Sequence, residues 1–242
     1  MTPLVFLPGM MCDERLFAPQ IKELSKQREV HFSQISDYES ISELASVILN
    51  NTPPVFALAG LSMGGIVAME ILSQAPERVE RLALLDTNPL AELPEVAKQR
   101  QPQIDAIKKG HLKEIIRDEM KPNYLFDGVR KTEILKLCMD MALDIGPDVF
   151  IRQSIALRER VDQKNTLRSY KGPALVLCGR HDVLCPLERH ELMHTLLENS
   201  KLKIIENAGH LPTLEQPKIT TMALASWLRS VQIVGVLQSG VL

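Results

Sequence analysis

The sequence predicts an α/β protein whose core is a mostly parallel, doubly wound sheet of about six strands. Short apolar runs alternate with amphipathic helical patterns along most of the chain, and most of these runs are apolar at every position. Strands that are apolar on both faces are typical of a parallel sheet covered by helices on both sides. A third observation is that residues 88–168 contain helical patterns but no convincing strand, which predicts an insertion into this core.

Six segments have the length and composition of strands. In chain order they are "PLVFL" (3–7), "EVHFSQI" (29–35), "PVFALA" (54–59), "RLALLD" (81–86), "PALVLCG" (173–179) and "KLKIIE" (201–206). Helical patterns lie between and after them, at about 18–27, 40–50, 64–75, 187–198 and 217–230. Because strands alternate with helices, we expect βαβ units with right-handed crossovers.

The long interval between the fourth and fifth predicted strands is helical throughout. It contains "HLKEIIRDEM" and "KTEILKLCMDMAL", and prolines divide it into short segments. A connection of this length is too long for a simple loop. We therefore expect an all-helical cap insertion at residues 88–168 that covers one edge of the sheet, with the α/β core formed by residues 1–87 and 169–242.

Composition excludes several classes of partner. Hydrophobic residues make up 45% and charged residues 24% of the 242 residues, which is ordinary for a globular protein. The net charge of −2, without a basic run, argues against a nucleic-acid partner. The four cysteines show no CxxC spacing, so we expect free thiols in a cytoplasmic protein. "MTPLVFLPGMM" lacks the basic region of a signal peptide, and the C-terminal "VQIVGVLQSGVL" is too short to span a bilayer.

A serine lies in a glycine-rich turn between a predicted strand and a predicted helix. The pentapeptide "GLSMG" at residues 60–64 follows "VFALA" and precedes "GIVAMEILSQA". Gly-x-Ser-x-Gly in this context is typical of a nucleophile elbow, a turn so sharp that only small residues fit two positions before and two after the serine. We therefore expect Ser62 to be presented as a nucleophile. A structural turn with a passive serine is the alternative.

Ser62 requires a base and a group that orients the base, because a serine hydroxyl is a poor nucleophile at neutral pH. His210, in "NAGHLPTLEQP", follows the last predicted strand, and Asp182, in "GRHDVLCP", follows the strand before it. Both would emerge at the carboxyl edge of the sheet, where open α/β folds place their sites. Asp86, which ends "RLALLD", would emerge at the same edge and is the second candidate for the acid.

The other histidines are less well placed for this chemistry. His31 lies within a predicted strand and His111 on a helix of the insertion, so we expect both to be structural or solvated. The segment "HELMH" at residues 190–194 matches the His-Glu-x-x-His helix of zinc proteases. However, its histidines fall at the edge of the apolar stripe of the helix, and no third ligand follows at the spacing of such enzymes. We therefore expect His190 and His194 to be solvated, and no metal site.

The three motifs "GLSMGG", "GRHDVLCP" and "NAGHLPTLEQP", in this order around a helical insertion, resemble those of the α/β-hydrolase fold superfamily. Within it, the chain is most similar to small cap-bearing carboxylesterase-type serine hydrolases. The resemblance implies a catalytic triad with Ser62 as nucleophile, His210 as base and Asp182 as orienting acid, and it implies no cofactor. The sequence departs from the family in beginning at its usual third strand, and in having Pro8 where many members have histidine.

An oxyanion hole is expected beside the nucleophile. One donor should be the backbone N–H of Met63, directly after the serine, and the other the N–H of Met10, which follows Gly9 at the end of the first strand. Because both donors are backbone groups, the proline at position 8 removes neither of them.

These residues predict a serine hydrolase that cleaves a small or medium, largely apolar carboxylic ester. The apolar preference depends on "LCMDMAL" (137–143) in the insertion, whose residues could equally form the core of the cap. The same triad also serves thioesterases, lactonases and C–C bond hydrolases. A ligand-binding module that keeps a vestigial triad is the alternative outside the enzymes.

Overall fold

In the computed structural model, which describes residues 1–230, six strands form one parallel sheet. The strands are Leu4–Leu7 (β1), Val30–Phe32 (β2), Phe56–Leu61 (β3), Val79–Leu85 (β4), Ala174–Gly179 (β5) and Ser200–Ile205 (β6). Their order in the sheet is β2-β1-β3-β4-β5-β6, and all neighbours are parallel. The predicted fold class is therefore confirmed.

Helices cover the sheet and fill the interval between β4 and β5. The helices of the core are Ala18–Leu24 (α1), Ile41–Asn50 (α2), Met63–Gln74 (α3), Leu187–Leu196 (α9), Pro212–Glu215 (α10) and Pro217–Arg229 (α11). Those between β4 and β5 are Pro94–Lys108 (α4), Leu112–Glu114 (α5), Lys131–Ile145 (α6), Pro147–Arg158 (α7) and Lys164–Ser169 (α8). A π-helical segment, Ile115–Met120, continues α5. Short 3₁₀ turns occupy Glu14–Phe17, Pro76–Arg78 and Lys121–Asn123.

Each strand of the centre buries both of its faces. In β1, Val5 and Leu7 pack in a cluster with α2, α3 and α9, whereas Leu4 and Phe6 pack in a second cluster with α1 and α11. This two-sided burial explains why the strand sequences are apolar at every position. The helices between β4 and β5 also share a cluster of their own, which includes Ile107, Ile116 and Phe150.

The strand order reverses at β1, because β2 lies on one side of it and β3 on the other. Ligand sites in open α/β sheets lie at the carboxyl ends of the strands beside such a reversal. The loop after β1 and the turn after β3 meet at this point, so the topology brings the segments that carry Met10 and Ser62 together.

No helix among residues 1–230 combines the length and the apolar character that a membrane-spanning segment needs. The C-terminal "VQIVGVLQSGVL", for which the sequence predicts no bilayer span, lies outside the described residues.

Candidate active site

Ser62 sits in a strained backbone conformation between β3 and α3. Its φ is 54° and its ψ is −116°, a region that residues with a Cβ rarely adopt. Two hydrogen bonds hold it there: the Ser62 N–H donates to the Leu85 carbonyl at 2.9 Å, and the Thr87 hydroxyl donates to the Ser62 carbonyl at 2.7 Å. The backbone of Ser62 is therefore fixed in position by β4 and the segment that follows it.

Two glycines make this turn possible through close approach of backbone atoms. A Cβ at Gly60 would lie 2.2 Å from the Gly64 carbonyl oxygen, and a Cβ at Gly64 would lie 2.2 Å from the Leu7 carbonyl oxygen. Both distances are far shorter than any real carbon–oxygen contact. The second contact also seats the loop after β1 against the start of α3, so Gly64 brings that loop to the serine.

His210 and Asp182 form a buried hydrogen-bonded pair. The His210 Nδ1 lies 2.8 Å from Asp182 Oδ2, and both residues are about 5% exposed. Burial acts to raise the pKa of Asp182, but the charge and hydrogen bond of His210 and the N–H groups of Leu184 and Cys185 outweigh it. The pKa of this carboxyl therefore lies below its ordinary value, and Asp182 is ionised. Of the two candidate acids, the structure thus brings Asp182 into contact with His210.

Asp86 lies beside Asp182 but makes different contacts. Its Oδ1 accepts the Gly179 N–H at 2.8 Å, whereas its Oδ2 is buried without a donor. Burial, together with the negative charge of Asp182, raises the pKa of Asp86 well above its ordinary value. Asp86 is therefore a neutral carboxylic acid that can donate its proton to Asp182.

The loop that carries His210 is held by Glu215, a residue that the sequence analysis did not single out. The Glu215 carboxylate accepts the N–H groups of Gly209, Leu211 and Phe126 at 2.8–3.1 Å. The His210 N–H donates to the Tyr124 carbonyl at 2.7 Å. Glu215 thus ties the histidine loop to the segment that follows the π-helical turn. Only its position in "HLPTLE", shortly after the histidine, could have suggested this role.

The two N–H groups expected to form an oxyanion hole are available. In the described chain, neither the Met10 N–H nor the Met63 N–H donates a hydrogen bond to the protein. A Cβ at Gly9 would lie 3.6 Å from the Ser62 Cβ, so the loop that carries Met10 packs directly against the serine. Met63 is the first residue of α3, where N–H groups have no partner within the helix.

A buried glutamine of α7 supports this loop. The Met11 N–H donates to Gln153 Oε1 at 2.9 Å, and Gln153 Nε2 donates to the Ile35 carbonyl at 2.9 Å. Met11 has a positive φ of 56°, so this hydrogen bond fixes a strained residue next to Met10. Gln153 and Met11 are 142 residues apart in the sequence, and no local signal could have identified the contact.

Two cavities meet at Ser62 and His210. The first, of about 300 Å³, is called the methionine cavity here; its lining includes the apolar residues Met10, Leu61, Met120, Tyr124, Phe150 and Leu211 and the polar residues Gln99, Gln103, Glu119 and Asn123. The second, of about 390 Å³, is called the arginine cavity and contains Arg100, Arg160, Arg189 and Glu92 in its wall. Arg100 also borders the methionine cavity. Ser62 therefore borders two cavities whose walls combine apolar and charged side chains: the first includes Arg100 and Glu119, and the second includes Glu92 and three arginines.

The residues of "LCMDMAL" line neither cavity. Cys138 and Met141 pack against the sheet cluster, and Ala142 packs in the cluster of the helices between β4 and β5. These residues therefore form part of the core, which is one of the two roles that the sequence allowed for them. The apolar surface beside the serine comes from other residues, among them Met120 and Phe150.

The expectation that His190 is solvated is wrong. His190 is fully buried, its Nε2 accepts the Thr87 N–H at 3.2 Å, and its Nδ1 lies 3.4 Å from the Pro186 carbonyl. Burial lowers its pKa to about 4, so the ring is neutral. With both nitrogens bonded to the backbone, His190 supports the Thr87 segment and has no nitrogen left for a metal. His194 is exposed, and its Nδ1 lies 2.7 Å from the Ser200 hydroxyl.

One group of potential metal ligands lies at the site itself. Single atoms of Asp182, Cys185 and His210 fall within 4.8 Å of one another. The carboxylate and the imidazole are already joined by their hydrogen bond. Burial, and then the charge of Asp182, raises the pKa of Cys185 well above its ordinary value, so the thiol stays protonated and is a poor ligand. The arrangement suits proton transfer by His210 better than metal binding.

Comparison with known proteins gives a consistent result. Residues 4–221 match the model of the Alpha/beta hydrolase family. The pimeloyl-[acyl-carrier protein] methyl ester esterase of Nitrosomonas europaea is 23% identical over 89% of this chain and 91% of that protein. The biotin biosynthesis bifunctional protein BioHC of Teredinibacter turnerae is 25% identical over 93% of this chain, which spans only 44% of that protein.

Two solved structures are also similar. A thermophilic esterase from Thermogutta terrifontis, with malate bound, has a TM-score of 0.88 and 26% identity, over 96% of this chain and 91% of that one. The enol-lactonase from Burkholderia xenovorans LB400 has a TM-score of 0.84 over 95% of this chain and 92% of that one. At 20% identity, it shows the shared fold alone.

Proposed function

We propose that this chain, which belongs to the alpha/beta hydrolase family, is a serine hydrolase that cleaves carboxylic esters. The observation that carries the proposal is the hydrogen bond of 2.8 Å between His210 and Asp182 at the wall of the cavities that Ser62 also borders. The names of the relatives, which include a methyl ester esterase and a thermophilic esterase, support an ester as the bond that is cleaved.

In the proposed mechanism, Ser62 attacks the acyl carbon and His210 accepts its proton. Asp182 holds the Nδ1–H of the imidazole, so that Nε2 carries the lone pair that takes the proton from the serine hydroxyl. The ionised Asp182 also stabilises the imidazolium that results. His210 then donates this proton to the leaving alcohol, and an acyl-enzyme remains.

The N–H groups of Met10 and Met63 are the proposed oxyanion donors. Each donor of this kind lowers the barrier by roughly 3–4 kcal/mol, because the charge of the tetrahedral intermediate develops in front of a fixed dipole. Gln153 keeps Met10 in place through the neighbouring Met11 N–H. Water activated by His210 then hydrolyses the acyl-enzyme, and no step requires a metal or a cofactor.

The helices of residues 88–168 are proposed to act as a cap over the site, with the core in residues 1–87 and 169–242. Their residues contribute to both cavities, for example Val96 and Leu157, which supports this division. The substrate is accordingly a small-molecule ester that enters between cap and core. A cytoplasmic location and the absence of a nucleic-acid partner remain predictions from composition.

Turnover by Ser62→Ala tests the mechanism. We expect wild-type protein to hydrolyse members of a diverse ester and thioester panel, and kcat to fall by at least about 10³-fold in the variant, because only binding and the oxyanion hole remain. Ser46→Ala, which changes an exposed serine of α2, is the matched control and should retain full activity.

The same panel separates an enzyme from a ligand-binding module. Equal turnover by wild type and Ser62→Ala would refute the mechanism. A protein that is labelled by a fluorophosphonate at Ser62 but turns over no ester or thioester would instead be a binding module with a vestigial triad.

A further inference from the structure

A buried ion-pair network forms one wall of the arginine cavity. Glu92 accepts from Arg100 Nε at 2.5 Å and from Arg160 Nη1 at 2.6 Å. The three side chains are 5–13% exposed. They come from the loop after β4, from α4 and from the loop after α7, so the network joins three segments beside the nucleophile.

This network carries more positive charge than its single carboxylate can balance. Within residues 1–230, the bond through Nε is the only hydrogen bond of the Arg100 side chain, so its Nη1 and Nη2 groups have no protein acceptor. Arg189 borders the same cavity, and its side chain has neither an ion-pair partner nor a hydrogen bond in the described chain. Three guanidinium groups therefore face one carboxylate in a cavity that reaches Ser62 and His210.

An excess of positive charge in the wall of a cavity attracts an anion. A guanidinium fork with two free N–H donors matches a carboxylate, which it binds through two parallel hydrogen bonds. A neutral amide of the same shape would lose the charge of these bonds, so the guanidinium groups would bind it less tightly than a carboxylate.

We propose that the arginine cavity is a subsite for an anionic group of the substrate, a carboxylate held by Arg100 and Arg189. The inference rests on the proposed function, whose substrate class it narrows: the ester carries a carboxylate at one end, and its apolar part occupies the methionine cavity. The expected apolar character of the substrate thus applies to the chain between the two ends.

Substrates that differ only in charge test the subsite. Monomethyl adipate is compared with methyl adipamate, in which a carboxamide replaces the carboxylate. 6-Acetoxyhexanoate and 6-acetoxyhexanamide place the same change on the alcohol side of the ester. In one of the two pairs, we expect wild-type kcat/KM to be at least about tenfold higher for the carboxylate.

Two variants connect this preference to the cavity. We expect Arg189→Gln and Arg100→Gln to bring the ratio of kcat/KM between carboxylate and carboxamide close to one. Arg189→Gln removes no side-chain hydrogen bond or ion pair within residues 1–230, so it remains informative if Arg100→Gln destabilises the Glu92 network. Arg117→Gln is the matched control, because Arg117 is exposed and, within residues 1–230, pairs only with its neighbour Asp118. This variant should keep the wild-type ratio.

Binding to Ser62→Ala, measured by calorimetry with adipate and adipamide, separates the subsite from catalysis. Tighter binding of adipate, lost in the Ser62→Ala/Arg189→Gln double variant, supports the proposal. Equal affinity for the two ligands, together with equal hydrolysis of carboxylate and carboxamide in both substrate pairs, overturns the subsite and leaves the esterase in place. Absence of hydrolysis of every ester while adipate still binds refutes the proposed function instead.

Discussion

Replacing Asp86 by asparagine should stabilise the protein at neutral pH. An asparagine is isosteric with the protonated acid: its Oδ1 can keep the bond from the Gly179 N–H, and its Nδ2 can donate to Asp182, as the protonated acid could. The substitution therefore removes a titratable group without removing a contact. Any change in stability reports the protonation state of this single carboxyl.

The direction of the change in stability follows from the pKa of Asp86, which burial and the charge of Asp182 raise well above its ordinary value. A group with a raised folded-state pKa contributes stability below its unfolded pKa, here about 3.9, and this contribution is lost as the pH rises towards the folded pKa. In that window, the wild type loses up to about 1.4 kcal/mol per pH unit relative to the asparagine variant. The variant should thus match the wild type near pH 4 and exceed it increasingly above that pH.

The measurement is the free energy of unfolding in urea at half-unit steps between pH 4 and pH 8.5, for wild type and variant. Asp127→Asn is the matched control, because the side chain of Asp127 is 93% exposed, and its difference from wild type should stay flat. A variant less stable than wild type at pH 7, with a difference that does not change with pH, would show that Asp86 is ionised and refute the assignment. The kcat of a variant of the neighbouring acid is a second measurement. We expect Asp182→Asn to lower kcat by about 10⁴-fold.

Three further predictions concern the positioning of the catalytic groups. Gln153→Leu leaves the Met11 N–H and a buried carbonyl unpaired, so we expect a loss of about 1–3 kcal/mol in urea unfolding and a fall in kcat with little change in KM. Glu215→Ala should lower both Tm and kcat, because the loop that carries His210 loses its anchor; unchanged kinetics would contradict this role. Gly64→Ala should prevent folding to the native state, as seen by circular dichroism and solubility, since its Cβ would overlap a backbone carbonyl.

The sequence predicted the parts of the site that follow directly from strand order. Ser62, Asp182 and His210 each come shortly after a strand, and parallel strands present their carboxyl ends at one edge, so a local motif was enough to propose the site. Contacts between segments that are far apart in the sequence have no comparable local motif. The hydrogen bond of Gln153 to Met11 and the ion pairs of Glu92 depend on how the helices between β4 and β5 pack.

His190 shows how a local pattern can mislead. Helical periodicity placed it at the edge of the apolar stripe of α9, which is typical of a solvated position. The structure buries it because the Thr87 N–H, immediately after β4, needs an acceptor and the imidazole supplies one. A polar side chain is buried where its hydrogen bonds are satisfied, and this condition depends on the neighbouring strand rather than on the helix sequence.

The choice between the two candidate acids also depends on neighbouring strands. Asp86 and Asp182 follow the adjacent strands β4 and β5, so their carboxyl groups lie close together. Two such groups in a buried site cannot both be ionised at low cost. The negative charge stays on the carboxyl group that accepts more hydrogen bonds. Asp182 accepts two backbone N–H groups and the imidazole of His210, whereas Asp86 accepts one N–H. The proton therefore remains on Asp86, and Asp182 is left as the anion that is hydrogen-bonded to His210.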